Sequence, residues 1–448
     1  FDHCFGALNG VRGFNDPRAI KLPNGDPVWL QTNKEGKSYL PFRLDMEKSK
    51  ITWMGGLPHT WTDQVDARNN GKYDNWLNAK RTGYKGFRDQ PMTLGHYTRE
   101  DLPFNYALAD AFTVCDHHFC SSLTGTTPNR LYFFSGNLRS GGQPDQPALV
   151  QNEYVGYTRE VNWYTVPEML QDAGVSWRIY QNELSYTPGL KGEEDSWLGN
   201  FTDNPIEWFS QFHVRRQKRY VDILENLQKE TDSHILDLEK SLASKPEDKD
   251  VTRELNTSNN YKKWLERELG KVQKELSTKM DSRSESLCRN AFTVNDKDKD
   301  FHTIEKVKYD DNGTEREITV PKSDILYQFR KDVQNGQLPA VSWLVAPENF
   351  SDHPSAPWYG SWYVSEVLDI LTKNPEVWKK TVFILTYDEN DGYFDHLPPF
   401  VAPDYRDNST GVVSSSIKQL ASEYVTREDE KKKKKVTPTR VRESAIGL

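Results

Sequence analysis

The sequence predicts an α/β protein, and three observations carry that expectation. Residues 165–174, "TVPEMLQDAG", have a Thr N-cap, a Pro in the first turn and a terminal Gly. They run straight into "VSWRIYQNE", residues 175–183, with the β-branched and aromatic alternation of a strand. Downstream, the strand-like "LPAVSWLVAPE" precedes the amphipathic helix "GSWYVSEVLDILTKNPEVW". Third, "TVFILTY", residues 381–387, is apolar without a break, as a strand buried in a parallel sheet would be.

Taken in order, residues 1–206 alternate short apolar stretches with Gly, Pro and Asn turns and form the first part of the α/β domain. Within them "LPFNYALADAFTVCD" reads as a helix running into an extended segment. "SSLTGTTPNR", residues 121–130, has the Gly, Thr, Pro and Asn of a tight turn. Residues 207–300 change character: charges of both signs interleave at helical spacing, which predicts a solvated helical hairpin inserted into the domain. Residues 301–405 resume the α/β pattern. Residues 406–448 read as a mobile tail, with five consecutive lysines as a solvated charge run.

Composition narrows the function. The 448 residues are 35% hydrophobic and 12% aromatic, so the core must lean on Trp, Tyr and Phe. A net charge of -8 argues against a nucleic-acid binder, and no apolar run approaches a membrane span. Four cysteines leave the redox compartment open, with Cys115 and Cys120 near enough to pair. The sequence begins at Phe1 without an initiator Met and ends at Leu448 without a capping signal, which reads as part of a longer chain.

Chemistry concentrates in three places. The 381–387 strand ends in Asp388, Glu389, Asp391, Asp395 and His396. Adjacent carboxylates at a strand end repel one another and resist desolvation, costs that a divalent cation offsets; alternatively, Asp391 and Gly392 make a turn and the other acids face water. In "SSLTGTTPNR" a threonine hydroxyl needs an activating base or metal to act as nucleophile, and Thr124, Thr126 and Thr127 are equal candidates. His59 and His353 lie in Gly/Pro-rich loops beside aromatics, where catalytic residues gather, and His117 and His118 follow Asp116. His213 and His234 fall in the charged insertion and read as surface residues.

Several long stretches, in chain order, carry a resemblance: "FDHCFGALNGVRGFNDPR", "LPHTWTDQ", "YTREDLPFNYALADAFTVCDHHFCSSLTGTTPNRLYFFSGN", "YDDNGTERE" and "VSWLVAPENFSDHPSAPWYG" through "TVFILTYDENDGYFDH". They resemble the bacterial phosphocholine-specific phospholipases C, within the phosphoesterase family that also holds acid phosphatases and plant non-specific phospholipases C. The resemblance implies an alkaline-phosphatase-like sandwich, a central mostly parallel sheet flanked by helices, and hydrolysis of phosphatidylcholine or sphingomyelin through a phospho-threonine. The nucleophile of the "[ST]-x-P-N-R" signature maps onto Thr126. The acids that hold a divalent metal, calcium among the candidates, map onto Asp388 and Glu389, with Thr126 touching the same ion. His59 and His353 map onto histidines lining the phosphate pocket, and His302 is a further candidate there.

The resemblance also implies a choline-bearing phospholipid as substrate, with peripheral contact to a membrane or micelle surface, and a secreted or periplasmic protein. An aromatic cage for the quaternary ammonium has material in Trp61, Trp358 and Tyr359, which otherwise read as core. Two departures stand out. The family's Glu-Asn metal ligands would precede Phe1 and are absent from this chain, and the family continues past Leu448. The alternatives are an acid phosphatase acting on phosphomonoesters and a non-catalytic choline- or lipid-binding relative. A sulfatase is disfavoured because no Cys-x-Pro-x-Arg element is present.

Overall fold

The helix expected after Thr165 is the Val166–Asp172 helix, closed at its N-terminus by a reciprocal Thr165–Glu168 capping box. The strand after it is Trp177–Gln181, which pairs in parallel with Val341–Val345 in the register Trp177↔Val341. The structure is a computed structural model that describes residues 1–50, 53–139, 146–185, 190, 192–353, 356–404, 406–413, 423–426 and 443–445. The expected tail with its lysine run lies mostly outside the described residues. The chain divides into two units, Phe1–Val155, Asn349–Glu366 and Thr381–Leu448 in one, Gly156–Glu348 and Val367–Lys380 in the other.

The first unit is built on two aromatic-rich clusters. One contains Leu8, Leu44, Met54, Leu57, Tyr97, Leu102, Tyr106 and Tyr393, and the other Leu22, Val28, Tyr73, Trp76, Leu94 and Phe394. Tyr393 and Phe394 are neighbours in the chain yet anchor different clusters, so the loop just before them is pinned from two directions. Leu57 does the same for the segment that carries His59. Each such buried side chain contributes about 2 kcal/mol. The Trp61–Arg68 helix starts directly after His59, with Thr60 and Asp63 forming its capping box. The Pro103–Ala111 helix follows its predicted position.

In the second unit, Lys218–Ser244 and Lys249–Ser277 form two long helices whose buried stripe includes Ile223, Leu224, Ile235, Leu238, Leu265 and Val272. Arg215 and Tyr220 converge on the buried carboxylate of Glu268, so the hairpin has a charged root as well as an apolar seam. "YDDNGTERE" becomes the hairpin Ile304–Asp311/Thr314–Pro321. Its turn residues Asn312 and Gly313 have φ of 52° and 86°, as a type I′ turn requires.

One expectation is overturned. Residues 382–387 enter no strand ladder among the described residues, and Val382 and Ile384 are 85% and 76% exposed. A strand buried on both faces needs neighbouring strands for its N–H and C=O groups and helices over its side chains. The described strands instead form two-stranded pairs, two of them parallel, and none takes up this segment.

Candidate active site

"SSLTGTTPNR" is more than a turn. From Thr126 onward it is the first turn of the Thr126–Ser135 helix, with Gly125 in extended conformation as N-cap. Asn129 reaches back from the helix to fasten the loop: its Oδ1 accepts from Ser122 N at 2.8 Å, and its Nδ2 donates to Thr124 O at 3.2 Å. The Thr124 hydroxyl is engaged with Ser122 Oγ at 2.6 Å, and Thr127 N donates to Asn152 Oδ1 at 3.1 Å. Thr124 and Thr127 are 1% and 2% exposed while Thr126 is 9% exposed, which makes Thr126 the most exposed of the three residues. It is nonetheless a largely buried helix-start residue, not one projecting from an open turn. Of the first turn's backbone donors, the Thr127 N–H goes to Asn152 and Pro128 has none, which leaves the Thr126 N–H without an intrahelical acceptor.

The His59 segment lies against this loop. A Cβ on Gly125 would sit 3.4 Å from the His59 carbonyl oxygen and 3.3 Å from Asn152 Oδ1, a space that glycine leaves open. The His59 ring is held from two sides. Nδ1 is 2.5 Å from Leu57 O and 3.0 Å from Asp391 Oδ1, and Nε2 is 3.7 Å from Glu389 Oε1. Burial works against the imidazolium, but the bond to Asp391 and the charges of Glu389 and Asp391 outweigh it and lift the His59 pKa to about 9. Burial also raises the Glu389 carboxyl, and neighbouring Asp388 and Asp391 add to the rise against the opposing pull of His59. His353 stands edge-on to His59 with ring centroids 6.3 Å apart.

The acid loop is bent to make these contacts. Asp391 adopts φ of 49° and Gly392 φ of 83°. A Cβ on Gly392 would lie 2.7 Å from Leu57 Cβ and 2.9 Å from Pro58 O, so only glycine lets the loop come this close to the His59 segment. Asn390 Oδ1 accepts from Gln64 Nε2 at 2.7 Å, and Lys80, fully buried, donates to Gln64 Oε1 at 2.9 Å and Pro58 O at 2.8 Å. Burial lowers the Lys80 pKa to about 8 against the pull of surrounding acids.

The predicted residues are thus partly gathered. His59, His353 and Asp391 bring ligating atoms within 4.8 Å of one another. Asp388 instead binds Arg130, whose Nε donates to Asp388 Oδ2 at 2.8 Å. Among the described residues, Asp388 and Glu389 join no group of three ligating His, Cys, Asp or Glu atoms within that span. His302 is in the second unit, 2.7 Å from Glu183. Trp61 is 2% exposed and belongs to the core, so it offers nothing to a choline cage: its position opening a helix after a tight loop turns it inward. Trp358 packs on Tyr97 and donates to Asp101 O at 2.9 Å, and Tyr359 lies near Phe350. Cys115 and Cys120, like the other two cysteines, are free thiols.

Sequence reasoning counted Asp391 among the clustered acids but did not pair it with His59, and it placed no role on Asn152 or Lys80. The signal for Asp391 was present in the Asp-Gly pair, which reads equally as a turn. The other two show nothing in their local sequence.

A family model described as the Phosphoesterase family matches residues 1–245 and 279–434. The chain belongs to the Phosphoesterase family. Every site residue above lies within the matched segments, and the gap, 246–278, contains the whole Lys249–Ser277 helix. Among relatives, a "Non-hemolytic phospholipase C" of Burkholderia pseudomallei is 34% identical over 93% of this chain and 46% of its own length. A "Hemolytic phospholipase C" of Pseudomonas aeruginosa is 32% identical over 90% of the chain and 42% of its own length. "Phospholipase C A" of Mycobacterium tuberculosis is 32% identical over 90% of the chain and 58% of its own length. This member of the Phosphoesterase family therefore spans about half the length of the curated relatives it matches.

Proposed function

We propose that the protein is a phospholipase C that hydrolyses phosphatidylcholine, and also sphingomyelin, through a phospho-Thr126 intermediate. The observation that carries the reading is the meeting of three distant stretches: His59 lies against Gly125, Arg130 reaches Asp388, and Asp391 reaches His59. The names of the relatives support the reaction class. The fold this reading implies is an alkaline-phosphatase-like sandwich, and the site of action is outside the cytoplasm.

In this mechanism the Thr126 hydroxyl gives up its proton to solvent as its oxygen attacks phosphorus, and the bond to the diacylglycerol oxygen breaks. The headgroup phosphate remains on Thr126, and the departing oxygen takes a proton. In this reading His59, paired with Asp391, supplies that proton and His353 bonds a phosphoryl oxygen. With the Thr127 N–H taken by Asn152 and none on Pro128, the Thr126 N–H is the first-turn donor left for the same negative charge. Water then attacks phosphorus, breaks the Thr126 ester and releases phosphocholine.

The acids fit a hard cation in part. Glu389 is a buried carboxylate crowded by two others, a donor set that suits calcium or magnesium, whereas Asp388 is shared with Arg130. Asp388 and Glu389 would hold the ion with the Thr126 hydroxyl, and it would supply a lowered hydroxyl pKa and charge withdrawal from the phosphoryl oxygens.

The test compares p-nitrophenyl phosphorylcholine with p-nitrophenyl phosphate. Faster turnover of the diester is expected, and faster turnover of the monoester would make the protein a phosphatase. Thr126→Ala should remove turnover of both and Thr127→Ala should not; the reverse result moves the nucleophile by one residue. Choline-lipid binding without hydrolysis in the unaltered protein would leave a binding relative.

A further inference from the structure

We infer that the loop Arg81–Asp89 is a membrane-docking element that seats the mouth of the site on an anionic phospholipid surface. The inference rests on the phospholipase reading and names the surface through which that site meets its substrate.

The loop is closed at its base and open at its tip. Arg81 bonds the Asp89 carboxylate, and its Nε donates to Arg88 O at 3.3 Å. Between them the chain makes the short 3-10 turn Lys85–Phe87, and residues 83–90 are all exposed. A Cβ on Gly83 or Gly86 would meet nothing within 4 Å, so both glycines of the tip face open space. Two large rings nevertheless stand there: Tyr84 is 62% exposed and Phe87 51% exposed. Aromatic rings held in water at a loop tip are costly, and they are the side chains that settle at the headgroup level of a bilayer.

Charge selects the partner. Arg81 is neutralised by Asp89, which leaves Lys85 and Arg88 as exposed cations flanking the rings. The chain as a whole carries a net charge of -8, so this is a local reversal of sign, and each such cation favours an anionic surface. No helix among the described residues is long and apolar enough to cross a membrane, so the contact would be peripheral.

The loop is also wired to the site. Its root residue, Lys80, donates to Pro58 O, one residue before His59. The Tyr84 ring lies directly over Gly55, where a Cβ would come within 2.2 Å of it, and Trp53, two residues earlier, is 54% exposed. A surface engaged by Tyr84, Phe87 and Trp53 would therefore sit beside the segment that carries His59.

The experiment measures partition of the Thr126→Ala protein onto sucrose-loaded vesicles, one set phosphatidylcholine alone and one set with a quarter phosphatidylserine. Tyr84→Ser/Phe87→Ser should lower partition onto both sets roughly ten-fold. Lys85→Ser/Arg88→Ser should lower it only on the serine-lipid set, by a similar factor. In the Thr126→Ala background, both pairs should keep the thermal melting of the parent; with Thr126 intact they should keep the unaltered protein's turnover of soluble p-nitrophenyl phosphorylcholine. Partition equal to the parent's, or a parent that stays in solution, overturns the inference. So does sedimentation showing that the rings hold two copies of the chain together. Should either pair fail to melt normally, Phe87→Ser alone carries the same expectation at smaller amplitude. Absence of ester turnover in the unaltered protein would count against the phospholipase reading and leave the vesicle result standing on its own.

Discussion

Arg130 Nε donates to Asp388 Oδ2 at 2.8 Å, joining the threonine helix to the acid loop across 258 residues of sequence. The two side chains are about three-quarters buried, so the pair contributes on the order of 1 kcal/mol to stability while fixing how the two stretches face each other. Replacing the guanidinium with an apolar chain of similar length separates these roles. Arg130→Met should shift the melting temperature by only a few degrees and lower kcat at least ten-fold on the phosphorylcholine ester. A variant that unfolds without losing specific turnover in its folded fraction would contradict the positioning role.

Asp391→Asn keeps the size of the side chain and removes the charge that faces His59 Nδ1 at 3.0 Å. If that carboxylate holds His59 as proton donor, the loss should depend on the leaving group: about ten-fold or more with a phospholipid, far less with p-nitrophenolate, which leaves without help. Equal losses on both substrates would assign Asp391 a purely structural part.

Gly392→Ala tests the close approach itself. Its φ of 83° and the 2.7 Å approach to Leu57 Cβ should together cost about 1–3 kcal/mol in urea unfolding. The loop must also back away from Pro58, so activity should fall with stability. A neutral substitution would mean that the loop has room the geometry denies.

In the second unit, Glu207 accepts from Tyr157 Oη, Gln181 Nε2 and Ser185 N, yet complete burial raises its pKa from 4.5 to about 7. A raised folded-state pKa means the folded protein binds more protons between these values. Stability is full below the unfolded pKa and falls as pH rises toward 7, by about 3 kcal/mol at 1.4 kcal/mol per unit. Glu207→Gln should flatten urea-denaturation stability across that window. An unchanged slope would show that another group carries it.

The legible part of the site was linear. Residue type narrowed the threonines to Thr124, Thr126 and Thr127, the family signature mapped onto Thr126, and His59 and His353 stood out in their Gly/Pro-rich loops. The local fold was legible for the same reason: the Thr165 cap, the apolar residues of the Pro357–Thr372 helix and the Asn-Gly turn act within a few residues. What escaped was set by partners far along the chain. Asp391 and Gly392 spell a turn, and only Leu57 and Pro58, more than 300 residues earlier, make that turn a way of carrying a carboxylate to His59. Lys80 reads as one more cation until its place beneath Pro58 is seen.

The sequence by itself determined the α/β character and carried the motifs of the Phosphoesterase family, with the threonine stretch 121–130 among them, because periodicity, caps and contiguous motifs are short-range properties. Tertiary structure decided the rest. It started a helix at Thr126, turned Trp61 into the core, and left residues 382–387 outside any ladder despite their apolar run. It also chose Arg130 as the partner of Asp388 and Asp391 as the partner of His59. Burial and ion pairing depend on what the rest of the chain brings within a few ångströms, and no window of sequence contains that information.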